Sequence, residues 1–523
     1  NFKNLVCGAF VNHEIKSLKY TIEQNAQIEL FDVTHEVGQR IYESTLLLIF
    51  SKSAYIAFPN KNVEMRYSLG GGVYCEFEDG SVMSDADVAK IKSLMEEIIG
   101  DGTEILKHKI PMKKAMEIAK NYCCVTSTDL LKYAAVDYIS LYEIKGFFGY
   151  YYTKTLSNTK EIYAFDLVPC APGCVLLGVD RQDPTKAKAY VDQPNLHAEL
   201  QSYEQWCKKL DVSDVPSLNE KIENGSITNL ITIAEARHEQ LINKMAEEIY
   251  RDHEQKRIVL IAGPSSSGKT TTSKRLRTHL TAMGLNPIAI GLDDYFVDRE
   301  KTPKDEFGNY DFECLEAIDI DLFNENLIAL MEGKEVEIPV FDFKTGKRLP
   351  HGRMAKVEEG SPIIIEGIHG LNERLTVHIP KENKYKIYIN DLTHLNIDNN
   401  NRIPTSDVRL IRRIVRDSIQ RGHDALATIT MWQSVRRGEE KNIFPYSGEA
   451  DFVFNSSLLY EMSVLKKYAQ PPLEAISQDN TYYYEAKRIL DFLSFFLPLE
   501  DESPIYTNSL LREFIGGNVF DKL

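Results

Sequence analysis

Gly263-Pro264-Ser265-Ser266-Ser267-Gly268-Lys269-Thr270 fits G-x-x-x-x-G-K-[ST] at every fixed position. The apolar run Ile258-Val259-Leu260-Ile261 precedes it and a helical pattern from Thr271 to Leu280 follows. That is the strand–loop–helix setting of a phosphate-binding loop. Its glycines let the loop curl so that successive backbone N–H groups face an anion, and the helix N-terminus adds partial positive charge. Gly263, Ser265, Ser266, Ser267, Gly268, Lys269, Thr270 and Thr271 are therefore the expected nucleotide contacts. Lys269 should reach the β- and γ-phosphates, and the Thr270 hydroxyl should hold Mg²⁺.

Outward from the loop, a second strand, Ile288 to Gly291, ends in Leu292-Asp293-Asp294-Tyr295-Phe296. A carboxylate at a strand's C-terminal end beside the phosphates is where a substrate hydroxyl can lose its proton. A buried run, Pro362 to Ile365, ends in Glu366-Gly367, from which a carboxylate could order Mg²⁺ or its waters. Treated as a helix, Asp407 to Gly422 puts Arg409, Arg412, Arg413 and Arg416 on one stripe and Leu410, Ile411, Ile414 and Val415 on the other. The apolar stripe packs, and the basic one is expected to offer guanidinium groups to phosphate oxygens. The βα alternation from the loop to about residue 470 argues for a mostly parallel sheet with helices on both faces. No N-K-x-D occurs, so the usual guanine-reading element is missing.

The rest of the chain bounds the answer. Its 523 residues require two to four domains. No apolar run is long enough to span a bilayer; the best, Thr45 to Phe50, is core-sized. No signal peptide is visible, and a start at Asn1 rather than Met leaves residues upstream to be expected. A net charge of −16 argues against general nucleic-acid or anionic-membrane binding. The eight cysteines include no C-x-x-C, only Cys170-x₃-Cys174 and the bare pair Cys123-Cys124, and read as thiols in a reducing cytoplasm. His13, His35 and His238 are each followed by Glu, but none completes H-E-x-x-H. Short strands are expected at Leu5 to Phe10 and Gln27 to Phe31. Helices are expected at Asp85 to Ile99, Ile227 to Arg251 and Tyr482 to Phe496, and loops at Asp180 to Pro194 and Asp211 to Gly225.

Six elements occur in an order that resembles the uridine kinase/phosphoribulokinase family: Gly263–Thr271, Asp293-x-Tyr295-Phe296, Asn309-Tyr310-Asp311-Phe312, Pro339-Val340-Phe341-Asp342-Phe343, Glu366-Gly367-Ile368, and Arg412-Arg413-x-x-Arg416-Asp417-x-x-x-Arg421-Gly422. The resemblance covers about residues 255 to 460. It implies ATP- and Mg²⁺-dependent phosphoryl transfer to a hydroxyl of a nucleoside or sugar. It makes Asp293 the base and sets Asp311 on substrate hydroxyls. Phe341 and Phe343 would line the acceptor pocket, and Arg413, Arg416 and Arg421 would serve substrate and phosphates. The chain departs from the nucleoside-specific pattern at Phe341, where uridine kinases carry tyrosine, and at Gly346, where they carry a base-contacting histidine. His423 also replaces a lid arginine.

The N-terminal half resembles something else. Residues 1–32 look like the later part of a TGS (β-grasp) domain. Residues 33–225 look like the α+β editing domain of threonyl-tRNA synthetases, notably at Gly71-Gly72-Val73-Tyr74-Cys75-Glu76-Phe77. That domain's H-x-x-x-H falls on Tyr42 and Leu46, and its Cys and His on Tyr151 and Thr155, so the hydrolytic set is absent. A connector helix (226–254), the kinase-like domain (255–470) and a helical extension (471–523) complete the expected α/β layout. Two alternatives stay open: a sugar-phosphate kinase, favoured by the basic Lys344, Lys347 and Arg348, and an ATP-dependent regulatory or RNA-associated protein. The acceptor and the oligomeric state, a homo-oligomer included, are not set by the sequence.

Overall fold

The computed structural model describes residues 3–121, 128–134, 136–305, 308–342 and 345–522. Phe343, Lys344 and the pair Cys123-Cys124 lie outside them. Contacts divide the chain into two compact units whose boundaries cross the five segments expected from sequence. The first holds the chain up to Ile227 with Thr393–Asp407 and Met462–Glu500; the second holds Thr228–Leu392, Val408–Glu461 and the chain from Asp501 onward.

In the first unit, Val6–Val11 is the centre of a three-stranded antiparallel sheet, flanked by Glu14–Lys16 and Ile28–Asp32. The helix Glu36–Ala57 follows; its almost unbroken run of buried residues explains the apolar stretch Thr45–Phe50. Four antiparallel strands lie in the order Val63–Leu69, Gly72–Phe77, Gly173–Leu177, Asp166–Cys170. The helix Asp85–Gly100 buries Val88, Ile91, Met95 and Ile98 at helical spacing, and Ser84 and Asp87 close its N-terminus as a capping box. A third sheet joins Leu106–Pro111, Tyr138–Ile144 and Phe147–Tyr150.

The expected loop Asp211–Gly225 is corrected: it contains the helix Val215–Glu223. Pro216 sits in its first turn, where a missing N–H costs nothing, and Asp214 caps it by accepting from Ser217 N. The four editing-like positions are core. Tyr42, Leu46, Tyr151 and Thr155 are all buried. The Tyr42 hydroxyl accepts from the Tyr163 and Ala164 amides and donates to the Ala164 carbonyl.

The second unit is built on a five-stranded parallel sheet in the order Ile288–Gly291, Ile363–Glu366, Ile258–Ala262, Lys384–Asn390, Phe452–Asn455. Ile258 to Ala262 are all fully buried, as a central parallel strand demands. The helix Lys269–Ala282 begins where the glycine-rich loop ends. In such a sheet ligands bind at the strands' C-terminal edge where the order reverses. Here that edge carries Gly263, Asp293 and Glu366.

Candidate functional site

The loop geometry is fixed by close packing. A Cβ on Gly263 would stand 2.0 Å from the Ile389 carbonyl oxygen. Gly268 has φ +87°, a left-handed conformation that favours glycine, and starts the helix. Lys269 Nζ donates to the Gly263 and Pro264 carbonyls at 2.9 and 3.0 Å. Burial lowers its pKa, opposed by Glu366 and Asp293. Thr270 Oγ1 donates to Glu366 Oε1 at 3.0 Å, joining the two residues expected to hold the metal. Burial pushes the Glu366 carboxyl up to about 7, with Asp293 adding to the rise and Lys269 opposing it.

Asp293 lies in the short 3₁₀ turn Leu292–Tyr295 that follows its strand. Asp293 is exposed, yet desolvation by the groups around it raises its pKa, opposed by Lys269, Arg421 and Arg416. Neighbouring Asp294 turns elsewhere: the Phe341 amide hydrogen-bonds to it, and Arg353 lies 3.9 Å away.

The arginine stripe is corrected. Arg409 and Arg412 are 1% and 0% exposed and cannot meet a ligand. Arg409 pairs with buried Glu439, which also accepts from the Ser265 amide at 3.0 Å. Arg412 pairs with Glu461 and Asp391. A buried arginine is tolerated only when paired and hydrogen-bonded, and both are spent in that way. The helix itself runs Thr405–Arg416 and gives way to a π-turn, Asp417–Arg421, a feature frequent at functional sites. Arg413, Arg416 and Arg421 converge on buried Asp417 at 3.3, 3.1 and 3.7 Å. Arg413 also donates to Ser265 Oγ at 2.9 Å. These three remain beside the loop.

Of the expected acceptor residues, Asp311 uses its carboxylate to accept from the Glu313 amide at 3.1 Å. Glu313, unremarked in the sequence, enters the charged group instead. Burial pushes its carboxyl up to about 7; Glu439 and Asp293 add to this, and Arg413 and Lys269 oppose it. Phe341 is buried against Phe296, ring centroids 5.7 Å apart. Gly346 has φ +70°, where a histidine would be strained, and an added Cβ would have to displace the Arg299 guanidine at 2.7 Å. Arg348 is spent on Asp319 and on the Tyr295 and Phe296 carbonyls, while Lys347 is exposed. Of the basic residues invoked for a sugar-phosphate acceptor, Arg348 is thereby occupied, and Lys344 lies outside the described residues.

The C-terminal segment supplies contacts that no motif signals. Leu510 packs on Gly268, 2.5 Å from where a Cβ would stand. Glu513 accepts from the Thr271 amide at 3.1 Å, and Asn518 Nδ2 donates to Thr271 Oγ1 at 3.3 Å. Gln420, in the π-turn, donates to the Glu513 carbonyl at 2.7 Å.

Residues 258–461 match the Phosphoribulokinase / Uridine kinase family. A uridine kinase of Chloroflexus aggregans is 30% identical over 202 residues, 38% of this chain and 85% of that relative. One from Chloroflexus aurantiacus is 29% identical over 199 residues, with the same shares. One from Halobacterium salinarum is 28% identical over 195 residues, 37% of this chain and 77% of the relative. Among solved structures, a putative fructose transport system kinase from Silicibacter sp. TM1040 is 19% identical, covering 41% of this chain and 98% of its own at a TM-score of 0.29, too low to carry weight. The loop, the second strand's Asp293 and the Thr270–Glu366 pair thus lie inside the matched stretch, and the chain belongs to the phosphoribulokinase/uridine kinase family through this C-terminal P-loop kinase region.

Proposed function

We propose that the chain is an ATP-dependent kinase that transfers the γ-phosphoryl group to a hydroxyl of a nucleoside- or sugar-like small molecule. The observation that carries this reading is the gathering of Lys269, Asp293 and the Thr270–Glu366 pair at one edge of the parallel sheet. Asp293 takes the acceptor hydroxyl's proton as that oxygen bonds to the γ-phosphorus, and the bond to the leaving ADP oxygen breaks. Lys269, Arg413, Arg416 and Arg421 offset charge on the phosphates. Thr270 and Glu366 would hold Mg²⁺, which neutralises phosphate charge when bound. Mg²⁺ takes one or two protein oxygens plus phosphate oxygens and water. That fits a site where no cluster of three His, Cys, Asp or Glu is found among the described residues.

The acidic net charge supports a small-molecule partner over nucleic acid. No helix among the described residues is long and apolar enough to cross a membrane. A cytoplasmic setting is part of the proposal, supported by Cys75 and Cys174, which face each other on adjacent strands as thiols. Residues 33–225 are proposed to be an editing-like domain without hydrolytic chemistry, since its four key positions are buried and carry no imidazole or thiolate.

The test is a screen of ADP release with nucleosides, sugars and sugar phosphates. With the tyrosine and histidine of uridine kinases replaced by Phe341 and Gly346, two base contacts are missing, each worth about 0.5–1.5 kcal/mol. Uridine should therefore bind one to two orders of magnitude less tightly than a site holding both contacts would allow. A uridine kcat/KM of about 10⁵ M⁻¹s⁻¹ or more, within the ordinary enzyme range, would show that other residues read the base.

Glu513 bears on the nucleotide itself. It occupies an amide of the helix N-terminus that should face a phosphate, and its charge opposes that phosphate. Glu513→Gln keeps the acceptor atom and removes the charge. KM for ATP should fall about two- to fivefold, from roughly 0.3–1 kcal/mol for a charge at a helix end, with kcat nearly unchanged. A KM that stays put or rises would mean that the carboxylate supports nucleotide binding.

A further inference from the structure

The first unit contains a cavity of about 420 Å³ that the kinase chemistry does not use. It lies wholly within that unit, walled by Tyr138, Tyr142, Tyr150, Tyr152, Tyr484 and Phe495. Tyr150 and Phe495 meet edge to face, centroids 6.0 Å apart. A cavity of this size that joins aromatic side chains with convergent polar groups is the usual form of a small-molecule site.

Its charges are unbalanced. Lys107 and Lys154 line it, and neither ammonium makes a hydrogen bond or ion pair among the described residues. Lys487 lines it as well, 3.8 Å from Glu14, and Glu14 is held at 2.6 Å by Lys16 at the rim. Asp491 is the second acid in the wall. Arg40 and Arg488 also reach the cavity, but both are neutralised by Glu485, Arg40 further by Glu36 and Arg488 by Asp407. Three wall lysines and Lys16 at the rim face Glu14 and Asp491, while the two arginines face three carboxylates, which leaves a surplus of one positive charge. A half-buried ammonium without a partner is costly unless something else supplies the negative charge. The strain registers on Lys154: burial first, then Lys107, Lys16 and Lys487, bring its pKa down to about 8, opposed by Glu14 and by Asp491, which feels Lys154 in turn. Burial and the neighbouring Lys16 and Lys109 lower Lys107 too.

The geometry points to a second ligand site here, for a phosphate monoester carrying a planar ring, the chemistry of a nucleoside monophosphate. The phosphate would meet the surplus positive charge, set among Lys107, Lys154 and Lys487. The ring would lie against the tyrosine wall, where π-faces accept heterocycles without regard to sequence of polar groups. None of these residues belongs to the P-loop region, so the site stands independently of the proposed kinase reaction.

The test is calorimetric titration of the full chain with UMP, AMP and inorganic phosphate. The expected result is one class of site for UMP or AMP that survives Lys269→Ala and weakens at least tenfold in Lys154→Glu and in Lys107→Gln, each with an unchanged melting temperature. Phosphate should favour the charged ammonium of Lys154. Binding should then take up protons near pH 8, visible as a buffer-dependent heat, and affinity should fall severalfold from pH 7 to pH 9. The proposal is overturned if neither nucleotide binds at millimolar concentration, or if binding is lost in Lys269→Ala. It is equally overturned if both lysine variants bind normally, or if inorganic phosphate binds as well as the nucleotides, which would leave the ring wall without a role.

Discussion

Lys269→Ala is expected to lower turnover by at least about 10²–10³-fold, the scale for removing one preorganised electrostatic contact from a transition state, while leaving the fold intact. Lys269 attracts Glu366 of the Thr270–Glu366 pair, and it already sits on the loop carbonyls of Gly263 and Pro264. Its lowered pKa says that the folded environment disfavours its charge, so removing the ammonium relieves a desolvation cost and forfeits two hydrogen bonds to carbonyls that can turn to water. The melting temperature should therefore move by only a few degrees. Steady-state ADP release and a thermal melt on the same preparation check both halves. Turnover at the unsubstituted rate would remove the phosphate-loop reading altogether.

The sequence made the loop legible because its chemistry is local. Two glycines, a lysine and a threonine at fixed spacing, with an apolar run before and a helix after, leave one arrangement that satisfies the backbone. Asp293 and Glu366 were legible for the same reason, each ending a buried run whose strand direction sets where the next side chain emerges. The arginine stripe was not. Periodicity places Arg409 and Arg412 on a face, but what that face meets depends on Glu439, Asp391 and Glu461, each 21–49 residues from its partner in sequence. A charge stripe looks the same whether it meets solvent, phosphate or buried carboxylates. Glu313 and Glu513 were missed on similar grounds, since only tertiary packing brings them to the loop. The helix Val215–Glu223 was a different failure. The polar stretch Asp211 to Gly225 reads as a loop, although Asp214 and Ser217 around Pro216 form a helix-start signal.

Asp293→Asn should lower kcat by roughly 10²–10⁴-fold, the range for loss of a general base, with the affinity for ATP little changed. The amide keeps the size and one acceptor oxygen, so the turn Leu292–Tyr295 has no steric reason to move. What it loses is the ability to accept a proton. Burial raises the Asp293 pKa above the ordinary aspartate range, against the pull of Lys269, Arg421 and Arg416. A base works when deprotonated, so the acid limb of the kcat/KM profile should fall off at a higher pH than an exposed aspartate would give. The limb should flatten in the asparagine variant, insofar as Asp293 sets it. Glu366 and Glu313 are both pushed up to about 7 in part by the Asp293 charge, so the asparagine variant should also bring these two carboxyls down. Asp294→Asn is the control. That carboxyl is turned to the Phe341 amide and Arg353, away from Lys269, so its loss should cost stability more than rate. If Asp294→Asn abolishes turnover and Asp293→Asn does not, the two neighbours exchange roles, and the base stands one residue further along the same turn.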